Sequence, residues 1–152
     1  MSNQIPNTPQ ISSHSSDERT WAAFAHGSAL LNLAGGVGGI IAALVIWLTQ
    51  KEKSAWVAFH GLQSLVFQAA TLILTVLVVG VVWVLGFAIS FITIGIGTFV
   101  AVPLMILVFF GGFAIMGAGM LYSFYGAYQV YQGRDFRYLW IGDWVYRRFS
   151  GR

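Results

Sequence analysis

The side chains best placed for chemistry form one polar series. His60, Ser64, Gln68, Thr71 and Thr75 are spaced four, four, three and four residues apart. At 100° per residue of helix they share an arc of about 80° on one face. Such a stripe in an apolar helix must face protein or water, because acyl chains offer no hydrogen bonds. It can line a cavity or a solute or proton path, or it can bond to neighbouring helices. No carboxylate, Lys or Arg accompanies it, which favours helix-to-helix bonding. Asn32, on the preceding apolar segment, is the sixth member. Equal rise along two antiparallel helices places it near Thr71 or Thr75.

Other chemistries find little support. His26 and His60 invite a metal ion, but on an unbroken pair of helices they lie about 25–30 Å apart. No Asp, Glu or Cys is at hand as a third ligand. Ser28 follows His26 by two residues, a spacing that points side chains to different helix faces. There is no Gly-x-Ser-x-Gly elbow. The glycines at 35–39 lack the Lys and the strand-to-helix setting of a phosphate loop. A membrane enzyme needs a carboxylate or a His pair converging on one pocket, and none is legible. No enzyme, metal site or cofactor is expected.

The elements that position the stripe come from the charge pattern. Residues 54–133 contain no Lys, Arg, Asp or Glu. That length far exceeds the roughly 20 apolar residues needed to cross a bilayer. Over the 152 residues, 57% are hydrophobic and 9% charged, so lipid is the solvent for most of the surface. The absence of cysteine excludes disulfides and thiolate sites. Few basic residues, all close to apolar segments, exclude a nucleic-acid partner.

An all-α membrane protein with three spans follows, over about 20–49, 57–89 and 99–131. Residues 1–17, polar and proline-bearing, read as an unstructured tail. The first span is interrupted by Gly35, Gly36, Gly38 and Gly39, which suit a break or a close helix contact. Each half is only about 22 Å long, too short to cross alone, so one interrupted span is expected. Thr93, Gly95, Gly97 and Thr98 mark the turn between the second and third spans. Pro103 suits the first turn of the third. Gly111, Gly119, Ser123 and Ala127 recur at multiples of four and form a small-residue face for another helix. The segment 134–152 mixes arginines with Phe136, Tyr138, Trp140, Trp144, Tyr146 and Phe149. It is expected to lie on the membrane surface without a clear amphipathic helix. Placing Lys51, Lys53 and the five C-terminal arginines on one side gives a cytoplasmic C-terminus and an outer N-terminus, in a cell membrane.

A set of short matches adds a family resemblance. Glu18-Arg19-Thr20-Trp21-Ala22, His26 and Ser28-Ala29-Leu30 open it. Trp47-Leu48, Lys51, Lys53-Ser54, Val57, His60-Gly61, Leu65 and Phe67-Gln68 continue it. Gln132-Gly133 and Arg137-Tyr138 close it. This set resembles a family of small bacterial membrane proteins of unknown function, grouped with the twenty-kilodalton Tic component of the chloroplast inner envelope. Leu139 stands where members usually carry proline, and Val66 where they carry asparagine. The resemblance implies a multi-pass membrane fold and no established activity. The expected role is a non-enzymatic packing or accessory subunit whose partners are the bilayer and a second copy or another membrane protein. The alternative is a pore or translocation component that uses the stripe.

Overall fold

The computed structural model describes residues 14–149, with the side chain of Phe149 left aside. Among these residues every regular element is helical. Helix α1 (Ser16–Gly27) starts on a capping box. The Ser15 hydroxyl accepts the Glu18 N–H at 3.1 Å, and the Glu18 carboxylate accepts the Ser15 N–H at 2.9 Å. Of the expected unstructured tail, residues 1–13 lie outside the described residues, whereas Ser16 and Asp17 are the first turn of α1.

The expected single interrupted span is replaced by a helical hairpin. After α1 the chain tightens into a 3₁₀ helix, Ser28–Ala34, turns at Gly35–Val37, and returns as α2 (Gly38–Gln50). The reversal is held from outside the glycine cluster. The Asn32 side-chain oxygen accepts the Gly39 N–H at 2.8 Å, which caps the first turn of α2. The Ser28 hydroxyl donates to the Gly39 carbonyl at 3.0 Å. A β-carbon at Gly39 would meet the Ser28 carbonyl, Gln68 Oε1 and the Asn32 amide, so only glycine lets the two arms approach. With 12 and 13 residues, α1 and α2 are each about 20 Å long, short of the roughly 30 Å hydrocarbon layer.

The two remaining long helices are α3 (Ala55–Ile92, 38 residues) and α4 (Thr98–Tyr131, 34 residues), both long and apolar enough to cross a membrane. They turn at residues 93–97, within the stretch whose glycines and threonines mark it. Gly97 N–H donates to the Thr93 hydroxyl at 2.7 Å there. Pro103 sits in the second turn of α4 rather than the first. Helix α5 (Ile141–Phe149) follows a short extended segment, where no clear helix is expected from composition.

Contacts rise together along α1 and α3: Glu18 with Ser54, Ala25 with Ser64, Ser28 with Gln68. The two helices therefore run parallel, and α4 runs against both. The start of α1, the α2–α3 loop and the end of α4 lie at one end of the bundle, where Trp56 Nε1 donates to Asp135 at 2.9 Å. The start of α1 and the end of α4, expected on opposite sides of a membrane, thus lie at the same end of the bundle. The near half is four helices thick. Beyond Thr75, α3 and α4 continue as a two-helix hairpin whose large apolar side chains are mostly exposed. Leu85 and Phe87, each more than half exposed, make a surface that suits lipid rather than water.

Candidate functional site: a buried polar network

The polar residues of α1, α3 and α4 converge in the four-helix half. His26 and His60, expected far apart, are neighbours: His26 Nε2 lies 3.1 Å from His60 Nδ1. A separation of about 25–30 Å holds only for one continuous first span. Folding that span into a hairpin makes α1 parallel to α3 and brings position 26 level with position 60. Both rings are fully buried.

The third partner comes from the segment expected on the membrane surface. Phe136 and Tyr138 are buried instead, and they cap the helix ends. The Tyr138 ring stacks on Phe67 with 4.0 Å between centroids, and Phe136 fills the space above Gly126. Tyr138 Oη lies 2.9 Å from His26 Nδ1 and 2.9 Å from Ser123 Oγ. Burial pushes the Tyr138 hydroxyl above its ordinary range, against a smaller opposing effect of the Ser123 hydrogen bond.

Gln63 orders the protons in this cluster. Its Oε1 accepts the Tyr138 N–H at 3.4 Å, and its Nε2 donates to the Phe136 carbonyl at 2.8 Å. The amide orientation is thus determined, and the same Nε2 donates to His60 Nδ1 at 2.8 Å. Tyr138 Oη donates to Ser123 Oγ and is also the hydrogen-bond partner of His26 Nδ1. His60 Nε2 is left buried with no partner among the described residues.

The stripe continues the network. Ser64 donates to the Ala25 carbonyl at 2.7 Å. The Gln68 amide donates to Ser64 at 2.9 Å and to Ser28 at 3.2 Å, and its oxygen accepts from Asn32 at 2.9 Å. Asn32 therefore meets the stripe at Gln68, one turn short of the expected Thr71 or Thr75. Thr71 turns back to the Phe67 carbonyl, and the Thr75 hydroxyl is buried without a partner among the described residues while its methyl group packs against Gly112. A cavity of about 360 Å³, lined by Asn32, Gln68, Thr71, Ser123, Phe67 and Met116 among others, opens beside this end. Neither His26 nor His60 lines it.

The small-residue positions divide. Gly35 and Gly36 form the hairpin turn with no neighbour within 4 Å of an added β-carbon, while Gly38 presses on the Leu31 carbonyl. On α4, Gly119 and Ser123 face the chain's own α3 and Tyr138. Gly111 has open space around it, and Ala127 is half-buried. The tight contacts belong to Gly112 and Gly126, each close to an expected position but on the inward face. Gln63 and Tyr138 are the members that sequence reasoning missed. Gln63 lies three residues from His60, a helical neighbour spacing that could have found it. Among the described residues no three His, Asp or Glu side chains gather as a metal site.

A family model matches residues 17–145, and its description reads magnetosome magnetite crystal formation protein family (MamF/MmsF). The chain belongs to that family, a small bacterial family of membrane proteins. No curated protein and no solved structure matches the chain. None of the comparisons connects it with the plastid import component.

Proposed function

We propose that this member of the magnetosome magnetite crystal formation family is a non-enzymatic accessory protein of a mineral-forming membrane. One observation carries this reading: the network of His26, His60, Gln63, Tyr138, Ser123 and the stripe is satisfied almost wholly within itself. A His pair does converge, as an enzyme would need, but both rings are sealed from solvent and neither lines the cavity beside Thr71. Interhelical bonds of this kind contribute about 0.6 kcal/mol each on average in a bilayer, so their collective effect is to hold the arms in one arrangement. The end that bears Arg19, Lys51, Lys53, Arg134, Arg137, Arg147 and Arg148 faces the cytoplasm in this reading, since the opposite turn carries no charge.

The cavity beside Thr71 favours a second reading, a transport path along the stripe. Its weakness is length. From Val76 to Ile89 the inward faces of α3 and α4 offer no polar side chain, so the stripe ends part-way across. Deletion of the gene in a magnetosome-forming host tests the main reading, with crystals sized by electron microscopy. Altered crystal size or number, restored both by the wild-type chain and by Thr71→Val, is the expected result. Unchanged crystals overturn the accessory role, and failure of Thr71→Val alone to restore them favours the path.

A further inference from the structure

A second concavity lies at the charged end of the bundle, outside the network. It has a volume of about 530 Å³ and is enclosed by the end of α2, the α2–α3 loop, the first turns of α3, the extended segment and α5. Its floor is apolar, with Trp47, Phe59 and Leu62. Two cations stand on its rim. The Lys51 ammonium lies 5.8 Å from the Trp47 ring centroid, and the Arg137 guanidinium lies 4.2 Å from that of Tyr146. Aromatic faces hold each cation without neutralising it.

Two carboxylates match these cations in number, but they leave Lys51 without an ion-pair partner among the described residues. Asp135 lines the site, but its Oδ1 accepts the Trp56 indole N–H at 2.9 Å. Asp143 meets only Arg137 Nη1, at 3.4 Å, and its carboxylate is two-thirds exposed. Among the described residues Lys51 has no carboxylate within 4.0 Å. Ala55, the first residue of α3, brings the positive end of a 38-residue helix to the same wall.

We propose that this concavity binds an anionic phospholipid, with the phosphate between Lys51 and Arg137 and an acyl chain on the apolar floor. At 38 residues α3 is about 57 Å long, against a hydrocarbon layer of about 30 Å, so it extends past the hydrocarbon, and the charged residues mark this end as one that does. Basic pockets between membrane helices on the cytoplasmic side suit such headgroups. A free phosphate would find two cations and a large apolar wall, with few further donors. An amphiphile uses both halves of the lining.

The test is lipid retention by the full chain in detergent, read by native mass spectrometry with phosphatidylglycerol, phosphatidylcholine or inorganic phosphate added. Phosphatidylglycerol is expected to be retained over phosphatidylcholine. Lys51→Gln with Arg137→Gln should weaken that retention at least about tenfold. Lys53→Gln with Arg134→Gln, an equal charge loss outside the concavity, should leave it within about twofold. Lys51→Gln alone, at an exposed loop residue, keeps the test valid where the double variant misfolds, and should weaken retention by itself. Equal retention of the two lipids, or equal loss in both double variants, overturns the site. Displacement of phosphatidylglycerol by inorganic phosphate at matched concentration overturns the lipid as its occupant.

Discussion

His26 Nε2 stands 3.1 Å from His60 Nδ1, across 34 residues of chain that leave and re-enter the same end of the bundle. That contact exists only because α1 and α3 run parallel. It links the hairpin, the long helix and, through Tyr138, the C-terminal segment into one unit. Disturbing any of the three should therefore be felt by the others.

Tyr138→Phe keeps the ring stacked on Phe67 but removes the hydroxyl that bonds His26 Nδ1 and donates to Ser123. A loss of about 1–3 kcal/mol is expected, the cost of leaving buried polar atoms unpaired. Thermal unfolding in detergent checks this. Tyr138→Phe combined with Ser123→Ala should cost less than the two single losses added, because the single variants share one bond. Strict additivity would remove Ser123 from the network.

Alkaline stability should carry the signature of the same hydroxyl. Burial holds the Tyr138 proton above the ordinary value of 10.0, so the folded chain keeps the proton where the unfolded chain releases it. The stabilisation is complete below about pH 10 and declines as pH rises above it. Denaturation midpoints measured from pH 8 to 12 should fall more steeply for the wild-type chain than for Tyr138→Phe. Parallel curves would mean the hydroxyl is solvated.

Gln63→Leu should release the C-terminal segment before it unfolds the helices. The amide holds both the Phe136 carbonyl and the Tyr138 N–H. Hydrogen exchange over residues 134–140 is expected to rise well before exchange in α3 changes. Limited trypsin cleavage at Arg137 should accelerate in parallel.

Two glycines in apolar helices should respond oppositely to alanine. At Gly39 a methyl group meets backbone and side-chain atoms of Ser28, Asn32 and Gln68, and a loss of several kcal/mol or failure to fold is expected. At Gly111 nothing lies within 4 Å, so Gly111→Ala should be neutral or stabilise by about 0.5–1 kcal/mol through helix propensity. Expression level and unfolding midpoint separate the two.

The natural absence of cysteine allows the hairpin to be tested directly. Ser16→Cys and Arg134→Cys should react with a membrane-impermeant maleimide from the same side of sealed vesicles, and Ile94→Cys from the other. Labelling of position 16 with position 94 would restore a first span that crosses.

The long helices and their turn are legible in the sequence because they depend on local properties. Eighty residues without a charge, and glycines with threonines near 95, declare two apolar rods and a reversal. The stripe from His60 to Thr75 is legible for the same reason: it is a period. The hairpin is not, because its reversal depends on Ser28, Asn32 and Gln68 meeting Gly39, contacts made across 7 to 40 residues. Tyr138 is hidden by its company, since arginines and tryptophans around it read as membrane surface while, among the described residues of the segment, Phe136 and Tyr138 are the rings that turn inward. The small-residue spacing on α4 shows that a helix face is close-packed, but the partner is the chain's own α3, and the inward register shifts from Gly111 to Gly112.

The change from four helices to two along the bundle makes the described residues a wedge. Set across a bilayer, its broad end would displace more lipid from one leaflet than its narrow end from the other. Such an inclusion relieves area strain when the leaflet around the broad end is the larger one, on the outside of a bend. Enrichment on strongly curved over flat vesicles is the consequence expected of that shape.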